Sequence, residues 1–212
     1  TTSPPIAEPP TVEPPTAGPL IGVLALQGDF REHLAVLAAL GVDAVTVRRP
    51  EDLARVDGLV IPGGESSVMD KLSRLFGLAG PLRDAVAAGL PVYGTCAGLI
   101  MLADRVNDAI EGQQTLGGFD VTVRRNAFGS QLDSFETDLA VPVLGERPVH
   151  AVFIRAPVVE SVGEGVDVLS TLDDGRIVAV QQGALLGTSF HPEITGETRF
   201  HEHFLGMVRA RR

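Results

Sequence analysis

Residues 90–103 read LPVYGTCAGLIMLA. The opening LPVYG is short and apolar enough on both faces to be a buried strand, and the closing LIMLA has the apolar character of a packed helix. Between them lie Gly94, Thr95, Cys96, Ala97 and Gly98, so a strand passes into a helix over a few small residues around the chain's single cysteine. A nucleophile held on such a tight turn needs small neighbours, because larger side chains would strike adjacent backbone. A helix N-terminus just beyond Cys96 favours the thiolate, and the N–H of Ala97 is placed to serve an oxyanion hole. Taken alone, the segment fits a buried, unreactive cysteine equally well.

Outward from this turn, LIGVLAL (20–26), VDAVTV (42–47) and DGLVIP (57–62) have the same character as LPVYG: short aliphatic runs, each leading to a turn. The stretch FREHLAVLAAL (30–40) has helical periodicity and stops at Gly41. Buried strands alternating with helices predict an α/β fold, a doubly wound and mostly parallel sheet with flanking helices. Beyond Ala103, FDVTVRR (119–125), HAVFIRA (150–156), VDVLSTL (166–172), RIVAVQQ (176–182) and ALLGTSF (184–190) predict an antiparallel extension, followed by a helix near 195–210. Residues 1–18 are Pro-rich with almost no large apolar side chain, which predicts a disordered leader before one domain over 19–212.

Composition limits the chemistry. A formal net charge of −10 works against binding polyanions, and with no Trp and one Tyr there is little for bases to stack on, so neither nucleic acid nor an anionic membrane is an expected partner. One cysteine can form no intramolecular disulfide and no Cys-rich zinc framework, and no apolar run is long enough to span a bilayer. A cytoplasmic protein without metal or cofactor is the expectation.

A cysteine nucleophile needs a base or a positive neighbour. In SFHPE (189–193), His191 ends a strand-like run and Pro192 disfavours continuation as helix. Residues two apart in an extended segment point the same way, which would set Glu193 beside His191 to orient the imidazole and stabilise its cation. Pro62-Gly63-Gly64-Glu65-Ser66 follows the strand DGLVI. Its paired glycines let backbone approach a ligand and offer the Gly64 N–H to developing negative charge. An ordinary turn with Ser66 as helix N-cap is the alternative. The ending of a Walker phosphate loop is missing.

These segments, in this order, resemble the class I glutamine amidotransferases. LALQGDFREH, RRPEDL, LVIPGGESS, YGTCAGLI, RRNAFGSQLDSFE, FIRAP and SFHPE are more narrowly similar to the glutaminase subunits of pyridoxal 5′-phosphate synthases, from about Ile21 to the C-terminal helix. The resemblance implies Cys96 as nucleophile, His191 as acid/base and Glu193 as its orienting carboxylate. It implies Gly64, Glu65, Ser66, Arg125, Ile154 and Arg155 as contacts to L-glutamine. The implied reaction is hydrolysis of L-glutamine to glutamate and ammonia, with ammonia delivered to a barrel-fold synthase subunit for vitamin B6 biosynthesis. Two other readings stay open: a glutaminase for another synthase, and a non-enzymatic cysteine redox or stress protein of related fold.

Four histidines remain besides His191. His201 and His203, two apart on a helix, diverge too far to share a metal and fit a solvated face. His33 and His150 have no evident partner in sequence. MDKLSRL (69–75) has the pattern of an amphipathic helix packed on a core.

Overall fold

The computed structural model describes residues 18–129 and 134–212. The leader expected over 1–18 lies outside the described residues apart from Gly18, as do residues 130–133 of RRNAFGSQLDSFE.

Five adjacent strands form the main parallel part of the sheet: β1 (Leu20–Leu24), β2 (Asp43–Val47), β3 (Gly58–Ile61), β4 (Val92–Thr95) and, from late in the chain, β12 (Leu185–Thr188). They run in the order β2-β1-β3-β4-β12, every neighbouring pair parallel. The sheet continues through β11 (Ile177–Gln182), β9 (Val158–Val162), β6 (Phe119–Arg124) and β5 (Ala103–Asn107), while β10 (Asp167–Thr171) pairs with β11 off this path. β7 (Ser134–Leu139) and β8 (Val149–Ile154) form a separate antiparallel hairpin.

Side-chain alternation divides the interior into two layers. Leu59, Ile61, Val92 and Leu185 face one way, against Leu53 of α2 (Pro50–Leu53), Met69 of α3 (Ser66–Leu75), Leu82 of α4 (Ala79–Ala87) and the aliphatic run of α5 (Ala97–Leu102). Val60, Tyr93 and Leu186 face the other way, against Leu37 of α1 (Phe30–Ala39), Phe200, Phe204 and Val208 of α7 (Arg199–Arg211), and Val149, Ala151 and Phe153 of the hairpin. A sheet buried on both faces explains why its strands read as continuous apolar runs. Within α3, Met69 is buried as the core-packing reading of MDKLSRL expects, but Asp70 and Ser73 are buried beside it and Leu75 is exposed. Among the described residues no helix is long and apolar enough to cross a membrane.

The expected fold class is borne out, with corrections to the extension, where FDVTVRR pairs antiparallel with β9 but parallel with β5. ALLGTSF is antiparallel to β11 on one side but parallel to β4 on the other, so it closes the parallel layer instead of belonging only to the extension. HAVFIRA leaves the main sheet for the hairpin, and β5 and β9 add strands with no clear sequence signal. Pairing direction depends on which strand lies alongside, and that is settled by packing between distant segments.

The β4–α5 turn is a crowded junction. A Cβ added at Gly98 would come within 2.0 Å of the Ile61 carbonyl oxygen, and backbone there cannot swing aside as a side chain can. Gly98→Ala is therefore expected to destabilise the protein by roughly 1–3 kcal/mol, read as a lower thermal unfolding midpoint. An unchanged midpoint would show that α5 can shift away from β3.

Candidate active site

Cys96 occupies a left-handed conformation, φ 50° and ψ −105°, between β4 and α5. Such a backbone costs a β-carbon residue about 1–3 kcal/mol and persists only where its surroundings enforce it. Here the Cys96 N–H donates to the Thr188 carbonyl of β12 at 2.7 Å, and its own carbonyl accepts from Ile100 at 3.2 Å. The small neighbours are a steric requirement: a Cβ at Gly94 would lie 2.6 Å from the Gly98 carbonyl oxygen. Ala97 is the first residue of α5, where an N–H has no acceptor within the helix.

His191 reaches this turn because β12 runs beside β4. Phe190 is fully buried against Phe153 and Phe200, and the His191 N–H donates to the Val152 carbonyl of β8 at 3.0 Å. Its Nδ1 lies 2.7 Å from Glu193 Oε1, so the expected pair forms, though by another geometry. His191 is the N-cap of a one-turn helix, α6 (Pro192–Thr195), with Pro192 at its first position, where a missing N–H costs nothing. Glu193 is thus brought round by a helical turn, in place of the expected extended step.

Burial pushes the His191 pKa down, but hydrogen bonds to the Cys96 side chain and to Glu193, with the attraction of both groups, raise it to about 10. An imidazolium at neutral pH, facing sulfur on one side and a carboxylate on the other, is the consequence. Glu193 is pushed up by burial and pulled back by its hydrogen bond to His191. We take the pair as ionised, because each partner's charge is satisfied by the other at 2.7 Å.

Opposite the sulfur lies the glycine loop. Gly64 has φ 153°, and a Cβ there would meet Gln27 Oε1 at 2.5 Å; one at Gly63 would meet His191 Cε1 at 2.4 Å. The turn before α1 fixes this loop: Asp29 N–H donates to the Gly63 carbonyl at 3.0 Å, and Glu65 N–H to Gln27 Oε1 at 2.8 Å. Glu65, not Ser66, is the N-cap of α3, its carboxylate accepting from the Ser67 N–H. Ser66 is instead the first helical residue, with its hydroxyl accepting from Gln113 Nε2 at 2.9 Å.

Cys96, Ala97, His191, Gly64, Glu65, Ser66, Arg125, Ile154 and Arg155 all line a single cavity of about 600 Å³. Glu193 sits behind His191, out of the cavity. Arg125 is not a solvated strand charge: it is 8% exposed and donates to Glu65 Oε1 at 2.9 Å and Gln113 Oε1 at 3.1 Å. Arg155 stands at the rim, in a left-handed conformation with φ 42°. Sequence reasoning missed Gln27, Asp29 and Gln113. Their local patterns are those of ordinary turns, and only the fold brings them to Gly63, Glu65 and Arg125.

Two expectations about histidines are corrected. His201 is fully buried, not solvated, and contacts His33, while His203 points elsewhere, to Gln181. His150 has partners after all, Asp138 and Glu136 across the hairpin, whose hydrogen bonds raise its pKa. Among the described residues, Asp29, His191 and Glu193 bring possible metal-ligand atoms within 4.8 Å of one another. His191 Nδ1 and Glu193 already share a hydrogen bond there, which a metal would have to break.

The coupling of His191 to Cys96 is open to direct measurement. Replacing Cys96 by Ala removes two influences that raise the His191 pKa and leaves burial, which lowers it, against the carboxylates Glu193 and Asp29. The imidazole titration followed by NMR is expected to fall below about 10 in Cys96→Ala; an unmoved midpoint would mean that the sulfur is not paired with the ring.

Comparison with known proteins agrees with this geometry. The family model described as the SNO glutamine amidotransferase family matches residues 23–210. A curated protein of Leifsonia xyli subsp. xyli, named pyridoxal 5′-phosphate synthase subunit PdxT, is 70% identical over 91% of this chain and 98% of its own length. A protein of the same name from Acidothermus cellulolyticus is 60% identical over 91% of this chain and 95% of its own. Among solved structures, a crystal structure titled as a glutamine amidotransferase superposes with a TM-score of 0.83 at 47% identity, covering 89% of this chain and 98% of that one. With an elbow cysteine, a glycine loop and a histidine backed by a buried carboxylate around one cavity, and with a family match over nearly all of the described residues, the chain belongs to the SNO glutamine amidotransferase family.

Proposed function

We propose that this chain hydrolyses the side-chain amide of L-glutamine and delivers the ammonia to a synthase subunit that makes pyridoxal 5′-phosphate. The observation that carries the reading is the alignment of Cys96, His191 and Glu193 at one wall of a cavity whose other walls hold Gly64, Glu65, Ser66 and Arg125. The PdxT name of relatives 60–70% identical supports the synthase as recipient.

In this reading the Cys96 thiolate attacks the amide carbon, and the carbonyl oxygen takes the negative charge. The N–H groups of Gly64 and Ala97 accept that charge as hydrogen-bond donors. His191, held cationic by its two neighbours, gives its proton to the departing nitrogen, and ammonia leaves with the C–N electron pair. Neutral His191 then takes a proton from water, whose oxygen attacks the γ-glutamyl thioester; glutamate departs and the thiolate is restored. Glu193 keeps the ring's tautomer and orientation throughout. At the polar end, the Arg125, Glu65 and Ser66 groups, with Arg155 at the rim beside Ile154, suit the α-amino acid head, since a guanidinium fork matches a carboxylate.

Cys96→Ala is expected to abolish glutamate release while leaving the fold intact, because the side chain removed is small and faces the cavity. His191→Asn should lower kcat by roughly 10²–10⁴-fold, whereas Glu193→Gln should retain more activity, since a base remains. Full turnover by Cys96→Ala would exclude the thiol as nucleophile and return the cysteine to a redox or structural role.

The ammonia is useful only where a receiving site is attached, and the glycine loop offers a means of control. The Gly63–Gly64 peptide is held by one hydrogen bond from Asp29, and two glycines can change conformation at low cost. We expect slow hydrolysis by the isolated chain and an increase of ~100-fold on titration with the synthase subunit at saturating glutamine, equivalent to ~2.7 kcal/mol. Full activity without the partner would mean that the oxyanion hole is already formed.

A further inference from the structure

Behind the catalytic carboxylate lies a row of buried side chains that the mechanism above leaves unused. His33 on α1 and His201 on α7 are both fully buried. His33 Nδ1 is 2.9 Å from His201 Nε2. On its other side, His33 Nε2 is 3.2 Å from Thr95 Oγ1 and 3.7 Å from Glu193 Oε1. Among the described residues, two atoms of this row have no hydrogen-bond partner: His201 Nδ1 and Glu193 Oε2.

These positions leave the protons one good arrangement. Suppose that His33 carried its proton on Nδ1. Its bare Nε2 would then turn a lone pair toward the Glu193 carboxylate, and His201, obliged to accept at Nε2, would carry its own proton on Nδ1, where a buried N–H finds no acceptor. Both features are costly. With the proton on Nε2 of each ring, every N–H has a partner and the unsatisfied ring atom is a lone pair alone. Neither ring is a cation at neutral pH: burial, then repulsion from the other histidines, holds His33 well below its usual value, and burial lowers His201 to about 4.

We propose that His201 and His33 form a one-way hydrogen-bond relay behind the triad, His201 Nε2–H donating to His33 Nδ1 and His33 Nε2–H directed between Thr95 Oγ1 and Glu193 Oε1. His33 is then a positioning residue for Glu193. Its N–H dipole favours the ionised carboxylate in a place where burial works against ionisation. The other titratable groups around Glu193 are His191, which favours its charge, Asp29, which opposes it, and the buried hydroxyl of Tyr93 on β4; Glu197 acts on His201. Removing the His33 donor leaves Glu193 easier to protonate. A protonated Glu193 no longer supports the His191 cation, so the acid limb of the kcat profile moves to higher pH.

The proposal rests on the glutaminase reading for its kinetic consequence but not for its proton positions. In the complex with the synthase subunit, His33→Leu is expected to lower kcat by roughly two- to tenfold, as for one neutral hydrogen bond, since His33 Nε2 lies 3.7 Å from the carboxylate and bonds the Thr95 hydroxyl, with KM unchanged and the acid limb raised. His33→Gln, whose amide nitrogen can occupy the Nε2 position, should restore both. A loss confined to KM, an unmoved acid limb, or equal loss in both variants would overturn the relay. Nitrogen NMR of the wild-type histidines tests it without any substitution, so a His33→Leu variant that fails to fold does not remove the test. His33 and His201 protonated on Nε2 would support it, and a proton on Nδ1 of either ring would refute it. Absence of glutamine hydrolysis by the wild-type complex would refute the glutaminase reading, while the NMR result would still decide the relay.

Discussion

The site depends on the parallel pairing of β12 with β4. In that register Thr188 stands opposite Thr95, and the last strand ends where the fourth strand ends. The Cys96 N–H closes the pairing on the Thr188 carbonyl, and His191 follows three residues after Thr188. Segments nearly a hundred residues apart are thereby held to hydrogen-bond distance. A slip by one residue would turn every β12 side chain to the opposite layer and exchange Leu185 with Leu186 between the two cores. The hydrophobic interior thus fixes the catalytic geometry, because the register that buries the apolar residues is the one that aligns Cys96 and His191.

Close backbone approach is the second constraint. Gly98 packs on the Ile61 carbonyl, Gly94 on Gly98, and Gly63 on the His191 ring. Together they bring the elbow, the glycine loop and the imidazole closer than any β-carbon would allow. The strain at Cys96 is supported by this packing and by the hydrogen bond from its own N–H, and the small surroundings leave the sulfur on the cavity wall despite an exposure of only 6%. Turn chemistry and reactivity are coupled here: the glycines that permit the tight turn also make room for the substrate.

Low dielectric surroundings give the polar groups their character. His191 and Glu193 are both buried, so their mutual hydrogen bond is strong and the charge on each depends on the other. Behind them, His33 and His201 stay neutral, because burial, and for His33 repulsion from the other histidines, outweighs the pull of the carboxylates nearby. Identical side chains thus serve as a cation at the cavity wall and as uncharged hydrogen-bond partners beneath it. At the polar end, Arg125 is held by Glu65 and Gln113 before any ligand arrives, which reduces the ordering that binding would require.

By itself the sequence determined the parallel α/β layer, the cysteine turn, the glycine loop and the nearness of Glu193 to His191. These are properties of local pattern: buried strands must be apolar throughout, a strained turn admits only small residues, and each motif keeps its chemistry within a few positions. Tertiary structure alone decided that ALLGTSF runs parallel to β4, that Glu193 reaches His191 through a helical turn, and that Glu65 caps α3 in place of Ser66. It also decided that His201, which its helix pattern assigns to a solvated face, and His33, which has no partner in sequence, face each other beneath the triad. The reason is that pairing direction, burial and proton position are set by neighbours distant in the chain, and for a single polar residue on a helix no local pattern records which face will be covered.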